Sequence, residues 1–239
     1  MNTDPRLSAL NGEVKLTAKK LKRQKRNVKV ARIMLIILVI IMLIGYLIFS
    51  TVYNGYNFTI SLDRNLYYDN HLIIYDDPDY KVYRQKLQPE SLEYFDNIYY
   101  EWLPDDLDKY DGSHNGDNFL AYSFYIENTG ENVEDFYASI DILDVIKNVD
   151  DAIRFMVYYD GEPTIYAKIS PDTGKAEPNT TPFESEKYIM RQHVENFMPG
   201  DKHKYTIVIW IEGSDTECTN NIIGGEFRAK MSFKSEFVD

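Results

Sequence analysis

An acidic segment of the chain has the residue types and spacing that suit metal binding. From Asp111 to Asp117 the sequence DGSHNGD places oxygen-bearing side chains at positions one, three and five and glycine at position six, as in an EF-hand loop. Position twelve, where an EF-hand needs a bidentate glutamate, is Tyr122, and a strand pattern follows, so we exclude an EF-hand. Two interpretations stay open, a solvated acidic loop or a looser oxygen cage for calcium. The cage would be formed by Asp105, Asp106, Asp108, Asp111 and Asp117.

Two common catalytic motifs are missing from the sequence. The histidines belong to no H-E-x-x-H motif, and no G-x-S-x-G elbow occurs in the chain. A chain with 38 acidic residues offers many carboxylate pairs, so no single pair is informative. We therefore predict that the protein is not an enzyme. The four scattered histidines are His71, His114, His193 and His203.

Cys218 is the single cysteine of the chain. An intrachain disulfide and a zinc site built from cysteine pairs are therefore excluded. An intermolecular disulfide or a lipid attachment could use the thiol, but we interpret Cys218 as a small buried apolar residue beside a turn. No cofactor is predicted beyond the calcium alternative.

Charge divides the chain into three segments. Residues 1–32 carry ten Lys and Arg against two acids, residues 33–50 carry no charge, and the remainder holds 16 bases and 36 acids, or −20. Together these segments give the net charge of −12. A portion with a charge of −20 repels nucleic-acid phosphates, so we exclude a DNA- or RNA-binding role for it.

A membrane-spanning helix is the clearest element of the sequence. No charge interrupts the stretch between Arg32 and Asp63, and a hydrocarbon core about 30 Å thick needs roughly 20 helical residues. We therefore predict a transmembrane helix at residues 33–53, with the bilayer as its partner. A cleaved signal peptide is the alternative, but the apolar stretch is longer than such peptides need and no A-x-A site follows it.

The basic arm at residues 1–32 sets the predicted orientation. Its Lys and Arg residues stand directly before the apolar stretch, and the positive-inside bias places such a flank in the cytoplasm. The arm could also form a helix on anionic lipid, but we favour a purely topogenic role. Residues 54–239 are then predicted to form one extracytoplasmic β-sandwich domain in a single-pass protein of the cell membrane.

The fold predicted for that domain is mainly β, an antiparallel sandwich of jelly-roll or Ig-like type. Its apolar residues alternate with period two, and Gly- and Pro-containing turns separate the runs. The clearest predicted strands are Phe119 to Glu127, Phe136 to Ile142, Ile153 to Tyr159, Thr164 to Ile169, Lys204 to Ile211 and Glu226 to Phe233. Weaker strand patterns occur at Tyr56 to Leu62, His71 to Tyr75 and Tyr80 to Leu87, and short helices are expected near Leu143 to Ala152 and Glu184 to His193.

One of these strands illustrates the expected geometry. Tyr205, Ile207 and Ile209 alternate with Val208 and Trp210, so the two sets are predicted to lie on opposite faces of a central strand. The end of this strand and the turns that follow it contain the residues we interpret as a structural signature of the fold: Trp210, Glu212, Gly213, Asp215, Cys218, Gly224 and Gly225.

The C-terminal half resembles a known family. The stretches Phe197 to Asp201, Lys204 to Cys218, Ile222 to Phe227 and Tyr122 to Gly130 are similar to strands and turns of the TasA/camelysin-like surface proteins of Gram-positive bacteria. The resemblance implies a surface-exposed sandwich in a group that includes biofilm-matrix fibre subunits. Members of that group carry a cleaved signal peptide, whereas this chain is predicted to keep its anchor. The metalloprotease activity ascribed to the camelysin branch is not carried over, because the motif is absent.

Three functions remain open from the sequence. The first is a membrane-anchored bacterial surface protein with a structural or binding role, matrix- or adhesion-like, which contacts a protein partner at the cell surface. The second is a bitopic assembly subunit of a trans-envelope secretion or conjugation complex. The third is a cation-dependent glycan binder or a surface enzyme.

Overall fold

A long helix and a β-rich unit make up the computed structural model, which describes residues 5–53, 58–90, 92 and 94–236. The chain separates into two units, Met1–Gly55 and Tyr56–Asp239, and each is described by itself. Helix α1 runs over Pro5–Tyr53 and so includes both the basic arm and the apolar stretch. The large apolar side chains of residues 33–46 are each at least half exposed.

The exposed apolar surface of α1 agrees with the predicted membrane segment. In the described part of the chain, Lys20–Tyr46 is the helical stretch long and apolar enough to cross a membrane. None of this apolar window is buried by the described residues, which differs from the core helix of a soluble protein. A signal sequence near an N-terminus has the same length and composition. The side chains of residues 47–53 lie outside the described part.

The second unit is built from two β-sheets, as the strand pattern predicts. Sheet A has the strand order β10-β6-β12-β1-β3, and sheet B has the order β2-β5-β11-β7-β8-β9 with β4 added to β5. The strands of sheet A are β1 (Phe58–Leu62), β3 (Lys86–Leu87), β6 (Glu134–Ile146), β10 (Tyr188–Phe197) and β12 (Glu226–Lys234). Those of sheet B are β2 (Leu72–Tyr75), β4 (Gly112–Ser113), β5 (Phe119–Asn128), β7 (Ile153–Tyr159), β8 (Glu162–Ala167), β9 (Thr181–Pro182) and β11 (Lys202–Ile211).

Most strand pairs are antiparallel, and two are parallel. β1 runs parallel to β12, with Phe58 opposite Ala229, and β8 runs parallel to β9. Both sheets are therefore mixed, and the predicted mainly β fold is confirmed with that addition. All six of the clearest predicted strands are present. β7 and β8 form a hairpin with the two-residue turn Asp160-Gly161, where both residues take positive φ as a type I′ turn requires.

The N-terminal part of the β unit joins the same sheets as the C-terminal half. β1 and β3 lie in sheet A, and β2 and β4 lie in sheet B. Residues 56–57 of the first predicted strand lie outside the described residues. The predicted strand Tyr80 to Leu87 is mostly wrong, since only Lys86–Leu87 pairs along β1 while Arg84 makes an isolated bridge to Ile74. Upstream, the Asp77 carboxylate accepts the backbone N–H groups of Asp79 and Tyr80 and turns the chain out of the sheet.

Both predicted helices of the β unit are wrong. Residues from Leu143 to Ile146 extend β6, because Val145 and Ile146 pair with the start of β12. Lys147 and Asn148 then take positive φ, and only one turn of 3₁₀ helix follows at Val149–Asp151. In the second segment, sheet pairing also overrides local preference, since Met190 lies opposite Ile140 of β6 in the edge strand β10.

The inner faces of the two sheets pack against each other and form the inner core. Phe233 of sheet A contacts the rings of Phe124 and Tyr205 of sheet B, with ring centroids 6.0 and 5.5 Å apart. Phe136 joins them from β6, 5.8 Å from Phe233. These side chains are almost fully buried, so the space between the sheets is filled by large rings.

A second apolar cluster covers the outer face of sheet B, and we call it the outer layer. Ile98, Leu103 and Leu107, from the segment between β3 and β4, pack on Ala121, Met156, Val208 and Trp210. The predicted two faces of β11 are thereby confirmed, since Tyr205, Ile207 and Ile209 belong to the inner core. Trp210 and Val208 face the irregular segment 98–107 instead.

Candidate functional site

The signature residue Glu212 links β11 to the outer layer. Its Oε2 accepts hydrogen bonds from Trp210 Nε1 at 2.9 Å and from the backbone N–H of Tyr100 at 3.2 Å. Its Oε1 accepts from the backbone N–H and the hydroxyl of Ser214, at 3.1 and 2.6 Å. One carboxylate thus joins the strand, the following turn and the covering segment.

The electrostatics of Glu212 agree with a charged acceptor. Burial by itself would raise the pKa of Glu212, but hydrogen bonds from Ser214 and Trp210 and the positive charge of Arg154 outweigh it. The pKa therefore lies below its ordinary value, and Glu212 is ionised at neutral pH. Backbone hydrogen bonds add to the attachment, with Ile98 N–H donating to Ile211 at 3.0 Å and Gly213 N–H donating to Ile98 at 2.8 Å.

A cluster of carboxylates surrounds Arg154, close to Glu212. Arg154 is 4% exposed, and its guanidinium pairs with Asp215 and lies 3.5 Å from Glu177 Oε2. Glu177, Asp215 and Glu217 offer carboxylate oxygens that all lie within 4.8 Å of one another. Oxygen donors at this spacing suit a hard cation such as calcium. The guanidinium already supplies a positive charge at that point, so the arrangement is a buried ion-pair cluster.

The pKa values of Asp215 and Glu217 are shifted in opposite directions. Burial and the hydrogen bond to Glu217 raise the pKa of Asp215 to about 6, despite the neighbouring Arg154. The hydrogen bond with Asp215, followed by those from Ser170 and Thr216, lowers the pKa of Glu217 to about 2. Asp215 therefore holds its proton to higher pH than its neighbour, and the two carboxylates share one proton in mildly acidic solution.

The remaining signature residues shape the loop that precedes β12. Gly224 has φ +70°, and a Cβ added at Gly225 would lie 2.8 Å from the carbonyl oxygens of Ile146 and Ile222. The backbones therefore approach each other closely at Gly225, and only glycine fits there. Cys218 is half-buried, which differs from the buried position expected, and its sulfur accepts a hydrogen bond from Asn97 Nδ2 at 3.1 Å.

The five aspartates of the predicted calcium cage do not form such a carboxylate cluster. Within the described ranges, the group of acids that meet at metal-ligand spacing is the one around Asp215. Asp111 accepts from the Tyr125 hydroxyl at 2.7 Å and pairs with Lys204 at 2.9 Å. Asp106 accepts from the hydroxyl of Tyr110 at 3.2 Å. The acidic segment instead carries the buried Leu107 into the outer layer, and Asp105, Asp108 and Asp117 join no such group.

An exposed group of rings lies on the same segment, and we call it the aromatic surface. It consists of Tyr99, Tyr100, Trp102 and Tyr110, which are 42%, 48%, 65% and 49% exposed. Tyr99 meets Trp102 edge to face with ring centroids 5.0 Å apart, and Tyr100 contacts the buried Trp210 at 6.2 Å. Glu212 accepts a hydrogen bond from the backbone N–H of Tyr100, so the short segment that carries Tyr99, Tyr100 and Trp102 is attached to the end of β11.

Sequence reasoning included Asp215 and Glu212 in the signature but missed their partners. Arg154 was a possible signal, because it is a lone charge within the apolar strand Ile153–Tyr159 and lies opposite Trp210 in the sheet. Glu177 lies in a loop remote in sequence, and no pattern indicated its contact with Asp215. No spacing or motif in the sequence indicated the aromatic surface.

Comparisons with known proteins identify no relative. No family model matches the chain, and no curated protein matches it. A solved structure of β-glucosidase from Kluyveromyces marxianus in complex with glucose aligns with 70% of this chain and 16% of that enzyme, at 9% identity and a TM-score of 0.24. The chain thus spans about a sixth of that enzyme's length. So low a TM-score transfers neither fold nor activity, and the resemblance to TasA/camelysin-like proteins stays a prediction.

Proposed function

We propose that the protein is a single-pass membrane protein that displays an acidic β-sandwich at the bacterial cell surface, in a binding or structural role rather than a catalytic one. The basic flank and the apolar part of α1 support a signal anchor with a cytoplasmic N-terminus. The β unit then lies outside the cell. The resemblance to TasA/camelysin-like surface proteins supports the same location.

The aromatic surface is the observation that carries the binding role. Tyr and Trp rings are enriched at protein interfaces because they bury large apolar areas and keep a polar group for hydrogen bonding. Here Trp102 is 65% exposed although the rest of its segment is fixed by Glu212 and by the buried side chains of Ile98 and Leu103. A rigid group of exposed rings loses little conformational entropy when a partner covers it.

The edge of sheet A is a weaker place for a partner. β10 pairs on one side with β6, and a strand could in principle add to its other side. Register shifts interrupt β10 between Tyr188 and Met190 and again between Val194 and Phe197, and Asn196 takes positive φ. Irregular edges of this kind oppose strand addition. We therefore assign the partner contact to the aromatic surface.

Cysteine labelling in intact cells tests the orientation. In a Cys218→Ala background, we introduce Lys175→Cys in an exposed loop of the β unit and Lys22→Cys in the exposed part of α1. A membrane-impermeant maleimide should label Lys175→Cys at once and Lys22→Cys only after permeabilisation. The opposite pattern would refute the surface location, and a mature product beginning after residue 50 would refute the anchor.

Photo-crosslinking tests the aromatic surface. A benzophenone amino acid replaces Trp102 in one strain and Lys175, an exposed residue outside the aromatic surface, in the control strain. We expect a discrete adduct from position 102 and none from position 175 after irradiation of whole cells. Equal adducts from both positions, or none from either, would count against a partner on this surface. An adduct with a transport ATPase would favour the trans-envelope assembly subunit instead.

A further inference from the structure

A cavity opens at one end of the sandwich, where several strands of both sheets begin or end. It has a volume of about 670 Å³ and is lined by Phe58 at the start of β1, Leu120 near the start of β5 and Ile153 at the start of β7. Two loops complete its wall, and they include Phe95 on one side and Ile222 on the other. The cavity therefore lies at the end of the inner core, beside the strand ends of both sheets.

The floor of the cavity is part of the inner core. Phe58, Leu120, Val149, Ile153 and Ile209 are each at most 6% exposed and line its wall. Such a wall offers van der Waals contact and few hydrogen bonds to a bound molecule. Ligand sites in proteins typically have volumes of about 300–1,000 Å³ and are lined mainly by apolar side chains. The volume and the apolar lining both fit a small organic molecule. The volume is too small for a two-chain phospholipid.

The polar groups of the lining define the charge of an occupant. Asp96 and Glu226 are acidic, whereas Asn97, Thr219 and Asn220 are neutral hydrogen-bonding residues. No Lys, Arg or His occurs among the lining residues, which all lie in the described part of the chain. Lys147 is outside the lining and donates to the carbonyl oxygen of Ile223 at 2.6 Å. The lining itself carries two acids, and the neighbouring Lys147 ammonium is engaged by the carbonyl oxygen of Ile223, so a neutral or cationic group is favoured over an anionic one.

We propose that this cavity is a binding site for a small apolar molecule with a neutral or cationic polar group. The apolar body lies against the apolar residues at this end of the sandwich, and the polar group meets Asn97, Asp96 and Glu226. Three signature residues, Cys218, Gly224 and Gly225, belong to the wall. The close approach of the backbone at Gly225 therefore shapes a ligand site as well as a turn.

Cys218 provides a direct reporter of occupancy. It lines the cavity, it is half-buried, and it is the single cysteine of the chain. A molecule in the cavity covers the thiol and slows its reaction with N-ethylmaleimide. The full chain is reconstituted in phosphatidylcholine nanodiscs with a cysteine-free scaffold protein, so that the modification rate belongs to Cys218 alone.

Two probes with the same aromatic body separate the contributions of shape and charge. N-phenyl-1-naphthylamine is neutral, and 1-anilinonaphthalene-8-sulfonate adds one negative charge. At matched free concentrations, we expect the neutral probe to slow Cys218 modification about tenfold or more and the sulfonate less than about twofold. Slowing of less than about twofold by the neutral probe would overturn the proposal.

Matched variants locate the effect in the cavity. Ile223→Trp adds bulk at an exposed lining residue, and Ile169→Trp makes the same change at an exposed residue outside the lining. Protection by the neutral probe should disappear in Ile223→Trp and persist in Ile169→Trp, and equal protection in both would overturn the proposal. The double variant Asp96→Asn/Glu226→Gln should allow the sulfonate to protect Cys218. If the sulfonate still fails to slow Cys218 modification in this double variant, the proposed charge preference of the cavity is wrong.

Discussion

The inner core and the outer layer bury apolar residues on opposite faces of sheet B, but different forces hold them in place. The inner core is formed by strands whose alternating side chains interlock, as Phe233 does with Phe124 and Tyr205. The outer layer is an irregular segment that contributes few apolar residues and is attached through Glu212 and backbone hydrogen bonds. Packing therefore determines stability on one face, and satisfied polar groups determine it on the other.

Both tryptophans of the chain lie in or beside the outer layer. Trp210 is 1% exposed and Trp102 is 65% exposed, and the chain contains no others. Tryptophan emission thus reports on the outer layer, whereas far-UV circular dichroism of the β signal reports on the sheets. With the full chain in nanodiscs, these two signals distinguish local loss of the outer layer from global unfolding.

The largest effect is expected for Phe233→Ala in the inner core. Removing a fully buried ring leaves a cavity among Phe124, Phe136 and Tyr205, which should lower the free energy of unfolding by about 3–5 kcal/mol. The tryptophan and circular dichroism transitions should shift together to lower denaturant. Tyr94→Ala, at a ring 86% exposed, is the control and should leave both transitions in place. A shift of the tryptophan signal alone would contradict the division into two regions.

Arg154→Met should have the next largest effect, and it should act through charge. Methionine keeps much of the arginine's apolar stem but leaves Asp215 buried without its ion-pair partner, at a cost of about 3 kcal/mol. Asp215 lies in the same turn as Glu212, which attaches the outer layer to β11. Tryptophan emission should therefore shift to the red at denaturant concentrations where the β signal is intact.

The double variant Arg154→Met/Asp215→Asn separates lost charge from lost packing. Removing the second charge should restore most of the stability, since a neutral amide costs less to bury than an unpaired carboxylate. If the double variant is as unstable as Arg154→Met, then packing of the arginine rather than its charge holds the cluster together. The outer layer would then resemble the inner core.

The pH dependence of stability should report on the ion-pair cluster around Arg154, which lies beside the outer layer. In the folded state the pKa of Asp215 is raised to about 6, so folding favours its protonated form and stability falls as pH rises from about 4 to 6. The pKa of Glu217 is lowered to about 2, so its contribution is lost as pH falls from about 4.5 toward 2. The cluster alone therefore gives a stability maximum near pH 4, with a decline of about 1–2 kcal/mol on the neutral side.

Asp215→Asn tests this assignment directly. The variant should lose the decline between about pH 4 and 6, measured as the difference in unfolding free energy from the unchanged chain. Glu217→Gln should instead weaken the loss of stability on the acid side. An unchanged decline in Asp215→Asn would assign it to another group.

The same comparison explains what could be predicted from the sequence. Period-two alternation identified the strands that build the inner core, because side chains on a strand must alternate between two environments. It failed near Leu143 to Ala152 and Glu184 to His193, where pairing with distant strands overrides local preference. The outer layer was not predictable, because its contacts join residues far apart in sequence, such as Glu212 with Tyr100 and Arg154 with Glu177.

The candidate site likewise has features that could be predicted from the local sequence and features that could not. Glu212, Asp215 and Cys218 were recognised as a group because they are close in sequence, and they were interpreted as a turn. Asp215 pairs with Arg154 of β7, and Cys218 lines a cavity with residues of several strands and loops, so both placements depend on elements that are remote in sequence. Local spacing shows that residues are neighbours, but it does not show which surfaces they face.

The smallest effect is expected for Gly213→Ala, and it tests how far glycine is needed in the signature. A Cβ at Gly213 would lie 3.5 Å from the carbonyl oxygen of Ile98, an ordinary contact distance, so stability should change by less than about 0.5 kcal/mol. A Cβ at Gly225 would lie 2.8 Å from two carbonyl oxygens, so Gly225→Ala should cost clearly more and should shift both optical transitions. Equal losses in the two variants would mean that the segment around Ile98 is held as rigidly as the strands, and the outer layer would then unfold only with the sheets.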